Sequence, residues 1–419
     1  MPVAGPIIYL DNAATTWPKP EQVYVAMDTA VREHGGNPGR ASHRLSVASQ
    51  KLVEDAREDV CRVFNAPSAE RVVFTLNCTD ALCLILKGLI KCGDHVITGP
   101  FEHNSVARPL HSLRRSGATV MQCQATPGGS VDLDHFRHLS RQGVDYVVMS
   151  HVSNVTGCIT PVREIAAIAR DQGASFILDA AQSAGSVEID LFSLGVDAVA
   201  APGHKGLCGP MGTGVLVLSE DFPVAPFREG GNGVDSASDE QPRRYPWRLE
   251  GGTLNVPGIA GLAAGVRYIE SAGIRVVGER EAALARALVE GVSAIDGVRV
   301  FGPAAGPETG VVSFRIDGVD VGLTGTILDE SYGIAVRTGL HCAPAAHRAI
   351  GSFPEGTVRV SLGPFNTEAD VAALLSAVRE IGARFGTRCA RGSNAKGRPP
   401  RDRLQPGSAG CAVLDTEGV

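Results

Sequence analysis

Residues 199–209 read VAAPGHKGLCG, an apolar run that ends in a glycine-rich turn carrying His204 and Lys205. A short, fully apolar run of this kind is typical of a strand buried on both faces of a parallel sheet. Ligands of such sheets bind beyond the carboxyl ends of the strands. A lysine in this turn is out of place as a solvated surface charge, so Lys205 is interpreted as a functional side chain.

The same kind of apolar segment recurs through the first two-thirds of the chain, in alternation with helical patterns. The other strand-like segments are RVVFTL (71–76), HVITG (95–99), ATVMQC (118–123), DYVVMS (145–150), SFILD (175–179) and GVLVLS (214–219), and DAVAA (197–201) leads into the lysine turn. Apolar strands alternating with amphipathic helices predict a mostly parallel sheet covered on both faces. The fold class is therefore α/β, with a large domain predicted at 1–275.

A second, smaller α/β domain is predicted at 276–386. Its strand-like segments are VVSFRI (311–316), IAVRTG (334–339) and TVRVSL (357–362), with helical patterns at about 320–331 and 367–385. The remaining segment, 387–419, is rich in Gly, Pro, Arg and Ser and has no periodicity, which predicts a flexible tail.

Composition excludes several classes of function. The 419-residue chain is 44% hydrophobic and 20% charged with a net charge of −6, so nucleic acid is not the expected partner. No apolar run approaches the roughly 20 residues of a membrane helix, and the first residues lack a secretory pattern. The ten cysteines show no C-x-x-C spacing. Neither a metal site nor a disulfide framework is therefore expected, and the cytoplasm is the favoured location.

Two strand ends carry the chemistry of one cofactor. SFILD ends in Asp179, closely followed by Gln182, and the neighbouring apolar run leads to His204 and Lys205. This pairing predicts pyridoxal 5'-phosphate, because the lysine can form a Schiff base while the acid keeps the ring nitrogen protonated. Burial and cationic neighbours make a lysine amine available in its neutral form.

A phosphate site is expected at TLNCTDAL. This segment places Asn77, Cys78 and Thr79 at a junction between a strand and a helix. Free backbone N–H groups and the helix dipole at such a junction bind anions.

The motifs around these residues resemble the class V aminotransferase fold family and, within it, the cysteine desulfurases and selenocysteine lyases. The resemblance runs from residue 9 to about residue 385 and implies a type I fold of pyridoxal-phosphate-dependent transferases. The matching segments, in order, are YLDNAATT (9–16), NPGRASH (37–43), FEHNS (101–105), HVSNVTG (151–157), DAAQS (179–183), GHK (203–205), LEGGT (249–253), RTGLHCA (337–343) and VRVSLGPFNT (358–367).

The resemblance implies a role for each site residue in a homodimer. Lys205 is implied as the Schiff-base lysine, Asp179 as the partner of the ring nitrogen and Gln182 as a donor to the phenolic oxygen. Arg359 is implied to bind the substrate carboxylate, a bidentate task that suits its planar fork, with Asn154 and Ala13 beside the substrate. The other implied cofactor contacts are His103 on the ring face, Asn154 near the ring oxygen, and Cys78, Thr79, His204 and a second subunit's Thr253 at the phosphate.

One position departs from the family pattern. The family often has Ser or Thr two residues before the His of GHK, where a hydroxyl contacts the phosphate. This chain has Pro202 there, so one phosphate contact is predicted to be lost or replaced.

The segment RTGLHCAPAAHRAIG places Cys342 beside His341 on a loop. A desulfurase needs a thiolate that takes the substrate sulfur as a persulfide and releases alanine, and a nearby cation or imidazole favours the thiolate. Arg359 follows only seventeen positions later. That short spacing resembles the desulfurase group with an ordered catalytic loop, which often depends on an acceptor protein.

The resulting hypothesis is a cysteine desulfurase that converts L-cysteine to L-alanine and leaves a persulfide on Cys342 for a sulfur-acceptor protein. Selenocysteine lyase, cysteine sulfinate desulfinase and another class V reaction, such as transamination, stay open. A non-catalytic sulfur-relay or assembly protein belongs to a different class of function. The joint presence of Lys205, Asp179 and Arg359 argues against that last reading.

Overall fold

A computed structural model describes residues 7–39, 43–220 and 222–386 of the chain. The predicted tail at 387–419 lies outside the described residues. The strands are β1 (Ile8–Tyr9), β2 (Val72–Thr75), β3 (His95–Thr98), β4 (Thr119–Gln122), β5 (Tyr146–Ser150), β6 (Ser175–Asp179), β7 (Ala198–Pro202), β8 (Gly214–Leu218), β9 (Val298–Phe301), β10 (Val311–Ile316), β11 (Ile334–Ala335), β12 (Arg337–Gly339) and β13 (Thr357–Ser361). The helices are α1 (Glu21–Glu33), α2 (Arg44–Val63), α3 (Cys78–Leu89), α4 (Asn104–Arg115), α5 (Leu133–Ser140), α6 (Val162–Asp171), α7 (Leu191–Leu194), α8 (Val256–Ala272), α9 (Ile274–Ser293), α10 (Val321–Tyr332), α11 (Pro344–Ala349) and α12 (Glu368–Phe385), with a 3₁₀ turn at Ala69–Arg71.

The apolar segments of the first two-thirds form one seven-stranded sheet in the order β2-β8-β7-β6-β5-β3-β4. Strands β3 to β7 run parallel, whereas β8 is antiparallel to both of its neighbours, β2 and β7. The prediction of a mostly parallel central sheet is therefore confirmed.

Both faces of this sheet are buried, which explains why its strands are continuously apolar. Successive residues of β6 point to opposite faces, so Phe176 and Leu178 pack in one core cluster and Ile177 packs in the other. Helices α3 and α4 cover the second of these faces, where Leu82 and Val106 are fully buried.

A smaller antiparallel sheet has the order β12-β13-β10-β9. Its core includes Phe314 and Val358 from the sheet and Leu374 from α12. Leu10 is buried in the same core because β1 pairs in parallel with β11. The division of the chain at 275/276 stays a prediction.

One predicted strand divides in two. IAVRTG was expected to form a single strand, but its first half pairs with β1 and its second half pairs with β13. The break falls at Val336, and it moves Arg337 into the sheet that carries Arg359. Within the described part of the chain, no helix is both long and apolar enough to cross a membrane.

Candidate active site

Most of the sequence-predicted site residues meet at one edge of the large sheet, where the parallel strands β5, β6 and β7 end. A cavity of about 230 Å³ opens at this edge, beside the start of α3. The predicted residues that line the cavity are Cys78, Thr79, His103, Asn154, Asp179, Gln182, His204 and Lys205. Pro202 lines it as well.

Asp179 is the last residue of β6 and is buried. Its carboxylate accepts a hydrogen bond from the Ala181 N–H at 2.9 Å and lies 3.5 Å from the Cys78 thiol. Burial raises the pKa of Asp179, and the bond from Ala181 and the charge of Lys205 oppose that rise. A buried carboxylate of this kind favours a cationic group in the cavity.

Glu102 fixes the strand beside Asp179, although sequence reasoning assigned it no role. Its buried carboxyl group accepts hydrogen bonds from the N–H and the hydroxyl of Ser150, at 3.0 and 2.9 Å. Ser150 ends β5 and lies opposite Asp179 in the sheet. Burial raises the pKa of Glu102 to about 8.

Lys205 projects from the tight connection between β7 and β8. The turn closes through hydrogen bonds from Gly203 N to Thr213 O at 2.9 Å and from Gly209 N to Gly203 O at 2.7 Å. A Cβ atom at Gly206 would collide with the carbonyl oxygen of Ala184, so this turn requires glycine beside the lysine.

The Lys205 ammonium is desolvated and faces a cation, the buried Arg359. These two effects, with desolvation the larger, lower the pKa of Lys205 to about 8. A substantial fraction of the amine is therefore neutral near pH 8, as nucleophilic attack on a carbonyl carbon requires.

His103 caps α4 and is held in a defined orientation. Its Nδ1 accepts from the Ser105 N–H at 3.1 Å and lies 2.9 Å from the Ser105 hydroxyl, which in turn lies 2.7 Å from the Thr79 hydroxyl. Burial and the charge of Lys205 lower the pKa of His103 to about 4. The imidazole is therefore neutral at physiological pH.

The start of α3 offers free N–H groups to the cavity. Asn77 caps the helix by accepting from the Asp80 N–H at 2.9 Å. The first N–H groups of a helix have no acceptor within it, and Cys78 and Thr79 line the cavity at this point. The buried Nδ1 of His204 has no hydrogen-bond partner among the described residues. These groups fit a phosphate, and Pro202 contributes no hydroxyl to it.

Arg359 lies in the middle of β13 and is fully buried. Its guanidinium forms an ion pair with Asp11 at 2.8 Å and donates to the carbonyl oxygen of Asn154 at 3.1 Å. Its Nε has no partner among the described residues. Ala13 contacts a residue that lines the cavity, because its carbonyl oxygen accepts a hydrogen bond from Gln182 Nε2 at 3.1 Å.

Cys342 is exposed on the loop after β12. Both His341 and Cys342 have left-handed backbone conformations, with φ of 48° and 58°. Two hydrogen bonds hold the loop, from Asn154 Nδ2 to His341 O at 2.7 Å and from Asn104 N to Cys342 O at 2.8 Å.

The cation next to the sulfur is Arg337, whose Nη2 lies 3.4 Å from the Cys342 Sγ. The His341 ring instead turns into the interior, where its Nε2 lies 2.9 Å from the Thr357 hydroxyl. Burial, with Arg359 nearby, lowers the pKa of His341 to about 2, so this imidazole stays neutral. Sequence reasoning missed Arg337, although the RTG motif that contains it was the available signal.

Thr253 is not brought to the lysine cavity. It lines a separate cavity of about 260 Å³ with Trp247 and Glu250. The resemblance assigns Thr253 to the site of a second subunit, and that role stays a prediction.

Comparison with known proteins identifies the family. The family Aminotransferase class-V matches residues 8–374. A probable cysteine desulfurase of Methanothermobacter thermautotrophicus is 36% identical over 389 residues, covering 91% of this chain and 96% of the relative. Probable cysteine desulfurase 2 of Mycobacterium leprae is 37% identical over 387 residues, covering 89% and 91% of the two chains.

Solved structures of cysteine desulfurases have the same fold as this chain. The apo structure of cysteine desulfurase from Thermococcus onnurineus superposes with a TM-score of 0.85 at 35% identity, covering 90% of this chain and 95% of that one. The cysteine desulfurase CsdA of Escherichia coli gives a TM-score of 0.82 at 28% identity, with 91% and 96% covered. On these matches, which span nearly the whole described chain, the protein belongs to the class-V aminotransferase family.

Proposed function

We propose that this chain is a pyridoxal-phosphate-dependent cysteine desulfurase, which converts L-cysteine to L-alanine and leaves a persulfide on Cys342. The observation that carries the proposal is the contact between Arg337 and the exposed Cys342 thiol, 3.4 Å apart. Transamination needs no thiol at this point. Relatives named as cysteine desulfurases, at 36% and 37% identity, support the same reaction.

The cofactor proposal rests on the donor set of the cavity. Asp179 is a buried acid that suits a protonated ring nitrogen, and Lys205 is a desolvated amine that suits a covalent link. The N–H groups of Cys78 and Thr79, with His204, suit the phosphate. When bound, pyridoxal phosphate supplies an electron sink that weakens bonds around the α-carbon of an amino acid.

Arg359 would bind the substrate carboxylate. Its buried guanidinium is held from one side by Asp11 and from the other by the carbonyl oxygen of Asn154. Such fixing suits a bidentate contact, because the planar fork is already oriented before the substrate arrives.

Two bases on the cavity wall, Lys205 and His103, would transfer protons to and from the substrate. Lys205 has a pKa of about 8 and can exchange a proton near neutral pH, which matches the requirement for a general base. His103, with its pKa lowered to about 4, is held by Ser105 as a neutral ring on the cavity wall.

Cys342 would take the sulfur atom. Its thiolate forms an S–S bond with the substrate sulfur while the C–S bond of the substrate breaks. The electron pair of that bond remains with the carbon, which takes up a proton to give alanine, and the persulfide remains on Cys342. Arg337 lies in position to stabilise negative charge on that sulfur.

The proposal includes a homodimer, because the family resemblance assigns Thr253, which lines a different cavity of its own chain, to the phosphate site of a second subunit. In this dimer, Thr253 of one subunit would contact the phosphate that is bound in the other subunit. A variant Thr253→Ala that lowers cofactor affinity without changing the oligomeric state would support this, whereas unchanged affinity would argue against it.

The test of the function is product analysis with cysteine, selenocysteine and cysteine sulfinate as substrates. We expect alanine from cysteine, together with an added sulfur atom on the peptide that contains Cys342. Alanine from selenocysteine or sulfinate with none from cysteine would instead favour the lyase or desulfinase reading. A keto acid as the product would favour transamination.

A further inference from the structure

A second, smaller chamber reaches Lys205, with a volume of about 40 Å³. Among the described residues, it shares with the first cavity only Ala181, Gln182 and Lys205, and none of those assigned to the phosphate lines it. A cavity needs about 10–15 Å³ for each water molecule, so the chamber has room for about three. The hydroxyl groups that line it belong to Thr16, Ser186, Thr309 and Ser361.

Glu281 is the acidic residue of this second chamber. It projects from α9 and is only 8% exposed. No described residue forms a hydrogen bond or an ion pair with its carboxyl group. The adjacent Arg280 donates instead to the carbonyl oxygens of Pro364 and Asn366, at 3.2 and 2.9 Å. A buried polar group without a partner costs free energy, so packing alone does not account for this carboxyl group.

Helix α9 packs tightly against the backbone beside the lysine turn. A Cβ atom at Gly278, three residues before Glu281, would collide with the carbonyl oxygen of Ser186. A Cβ atom at Gly185 would collide with the carbonyl oxygen of Gly206 in the turn itself. Residues three apart share one face of a helix. The place of Glu281 in the wall of the chamber is therefore fixed by backbone contacts.

The surroundings of Glu281 favour a protonated carboxyl group at neutral pH. Burial raises the pKa of Glu281 to about 8, and the charge of Arg280 opposes that rise. The Cys208 thiol also lies near it, and burial raises the pKa of that thiol to about 12. Among the described residues that line the chamber, only Glu281 and Lys205 titrate. Both have a pKa of about 8, so a proton can pass between them in either direction at little cost.

We propose that the second chamber holds a chain of water molecules through which Glu281 exchanges protons with Lys205. The inference rests on the proposed function, in which Lys205 moves a proton to and from the substrate. Glu281 touches neither the substrate nor the cofactor and acts only through Lys205. A protonated carboxyl group both donates and accepts hydrogen bonds, which a group at the end of such a chain must do.

Each transfer conserves protons and charge. The Glu281 O–H gives its proton to the nearest water, and each water passes one proton on until the last protonates the neutral amine of Lys205. The carboxylate left on Glu281 takes a proton from solvent at the side of the chamber where Ser186 is only partly buried. In the reverse direction, a proton taken from the substrate leaves the lysine by the same route.

Cysteine that carries deuterium on its α-carbon tests this exchange in ordinary water. Lys205 would remove the deuteron and later return one of its hydrogens to the product. A lysine ammonium holds three hydrogens, so about a third of the alanine would retain the label if the lysine did not exchange with solvent. We expect the wild-type enzyme, loaded with pyridoxal phosphate, to retain far less. Glu281→Gln keeps the shape but removes the acid, so its retention should rise toward that statistical share. Mass spectrometry of the alanine measures it.

The direction of the change separates the relay from a structural defect. Slower turnover leaves more time for exchange and lowers retention, whereas loss of the relay raises it. Glu281→Asp keeps an acid in the chamber and should return retention toward the wild-type value. Glu102→Gln is the matched control, because Glu102 is a second buried carboxyl group with a pKa of about 8 and does not line the chamber. This control should leave retention unchanged.

A second readout needs neither cofactor nor substrate. Between pH 4.5 and about 8 the folded Glu281 holds a proton that the unfolded residue has lost. The stability of the cofactor-free protein should therefore fall as pH rises across this window. Chemical denaturation should show a shallower fall in Glu281→Gln than in the wild type. Equal slopes would mean that Glu281 is already ionised in the folded protein, and they would overturn the relay.

The outcomes separate the two proposals. If the wild-type enzyme forms no alanine from cysteine, the proposed function fails and the relay fails with it. If alanine forms but Glu281→Gln retains no more label than the wild type, only the relay is overturned. The relay is also overturned if Glu102→Gln raises retention as much, or if Glu281→Asp retains as much label as Glu281→Gln.

Discussion

Arg359 and Asp11 form a partly buried ion pair of 2.8 Å that joins strand β13 to the N-terminal segment. The same guanidinium donates to the carbonyl oxygen of Asn154, whose side chain holds the Cys342 loop. The proposed carboxylate-binding residue is thus positioned by the N-terminal segment and linked to the loop that carries the thiol.

Replacing Arg359 with lysine should weaken substrate binding more than turnover. Lysine keeps the charge but loses the planar fork, so the bidentate contact is lost. Hydrogen bonds to charged groups are worth about 1.5–3 kcal/mol, so KM for cysteine should rise roughly ten- to a hundredfold. Steady-state kinetics measures this. Asp11→Asn separates the positioning contact from the charge, because it removes the ion pair that orients the guanidinium and leaves the guanidinium itself. An unchanged KM in Arg359→Lys would remove Arg359 from the substrate site.

Lys205→Ala should abolish the covalent link between protein and cofactor. Borohydride reduction followed by intact mass should give an adduct in the wild type and none in the variant. Lys19→Ala is the matched control, since Lys19 also lies beside the turn, where its Nζ donates to His204 O at 2.7 Å. Loss of the adduct in Lys19→Ala with its retention in Lys205→Ala would exchange the two assignments.

Cofactor loading of the cofactor-free protein should depend on pH through Lys205. The pKa of Lys205 is lowered to about 8, and only the neutral amine attacks. The loading rate should therefore rise as pH increases and level off above about 8. Absorbance changes after mixing with pyridoxal phosphate measure the rate, with Lys205→Ala as the blank. A rate that continues to rise toward pH 10 would indicate an ordinary, solvated lysine.

The same shift has a consequence for the stability of the cofactor-free protein. Between pH 8 and about 10.5 the unfolded lysine still binds a proton, whereas the folded one has lost it. Stability should therefore increase with pH across this window through Lys205. Chemical denaturation of wild type and Lys205→Met at several pH values should isolate this contribution as a slope that is present only in the wild type.

Cys342→Ser should retain the bound cofactor and lose desulfuration of cysteine, since a hydroxyl is a poor acceptor for sulfur. Alanine release and the added mass on the peptide should both disappear. Cys83→Ser is a matched control, because Cys83 and Cys342 line one surface groove beside α3 and α4. This variant should retain alanine release and the added mass. Desulfuration at the wild-type rate in Cys342→Ser would exclude Cys342 from the reaction.

Pro202→Ser should bind the cofactor more tightly. Pro202 lines the cavity between β7 and the lysine turn and offers no donor. A serine hydroxyl would restore one hydrogen bond to a charged phosphate, worth about 1.5–3 kcal/mol, or roughly ten- to a hundredfold in affinity. Release of cofactor during dialysis measures it. Pro202→Ala is the control, since it removes the ring without adding a hydroxyl.

The large sheet and the proximity of Asp179 to Lys205 could both be predicted from the sequence. Continuous apolar segments are a strong signal for strands buried on both faces, and the carboxyl ends of parallel strands share one edge. Helix α4 was not predicted, and its signals are weak. Its N-cap is His103, which is not among the preferred capping residues, and the helix contains Pro109.

The surroundings of Cys342 could not be predicted from adjacency in the chain. His341 is next to the thiol in sequence, but the left-handed backbone directs its ring to Thr357. Arg337 reaches the sulfur because β12 joins the small sheet separately from β11. That division depends on pairing with β1, which lies at the other end of the chain and leaves no local pattern.

The pairing of Ile8 with Ile334 has a consequence for how the molecule is made. Strands β7 and β8 are close in the chain and antiparallel, so the turn that bears Lys205 needs no residue beyond 218 for its strand pairing. The strand at the N-terminus must wait for the last third of the chain before it finds its partner. Local contacts form early and distant ones late. We therefore expect the proposed cofactor-binding half of the site to assemble before the proposed substrate-binding half.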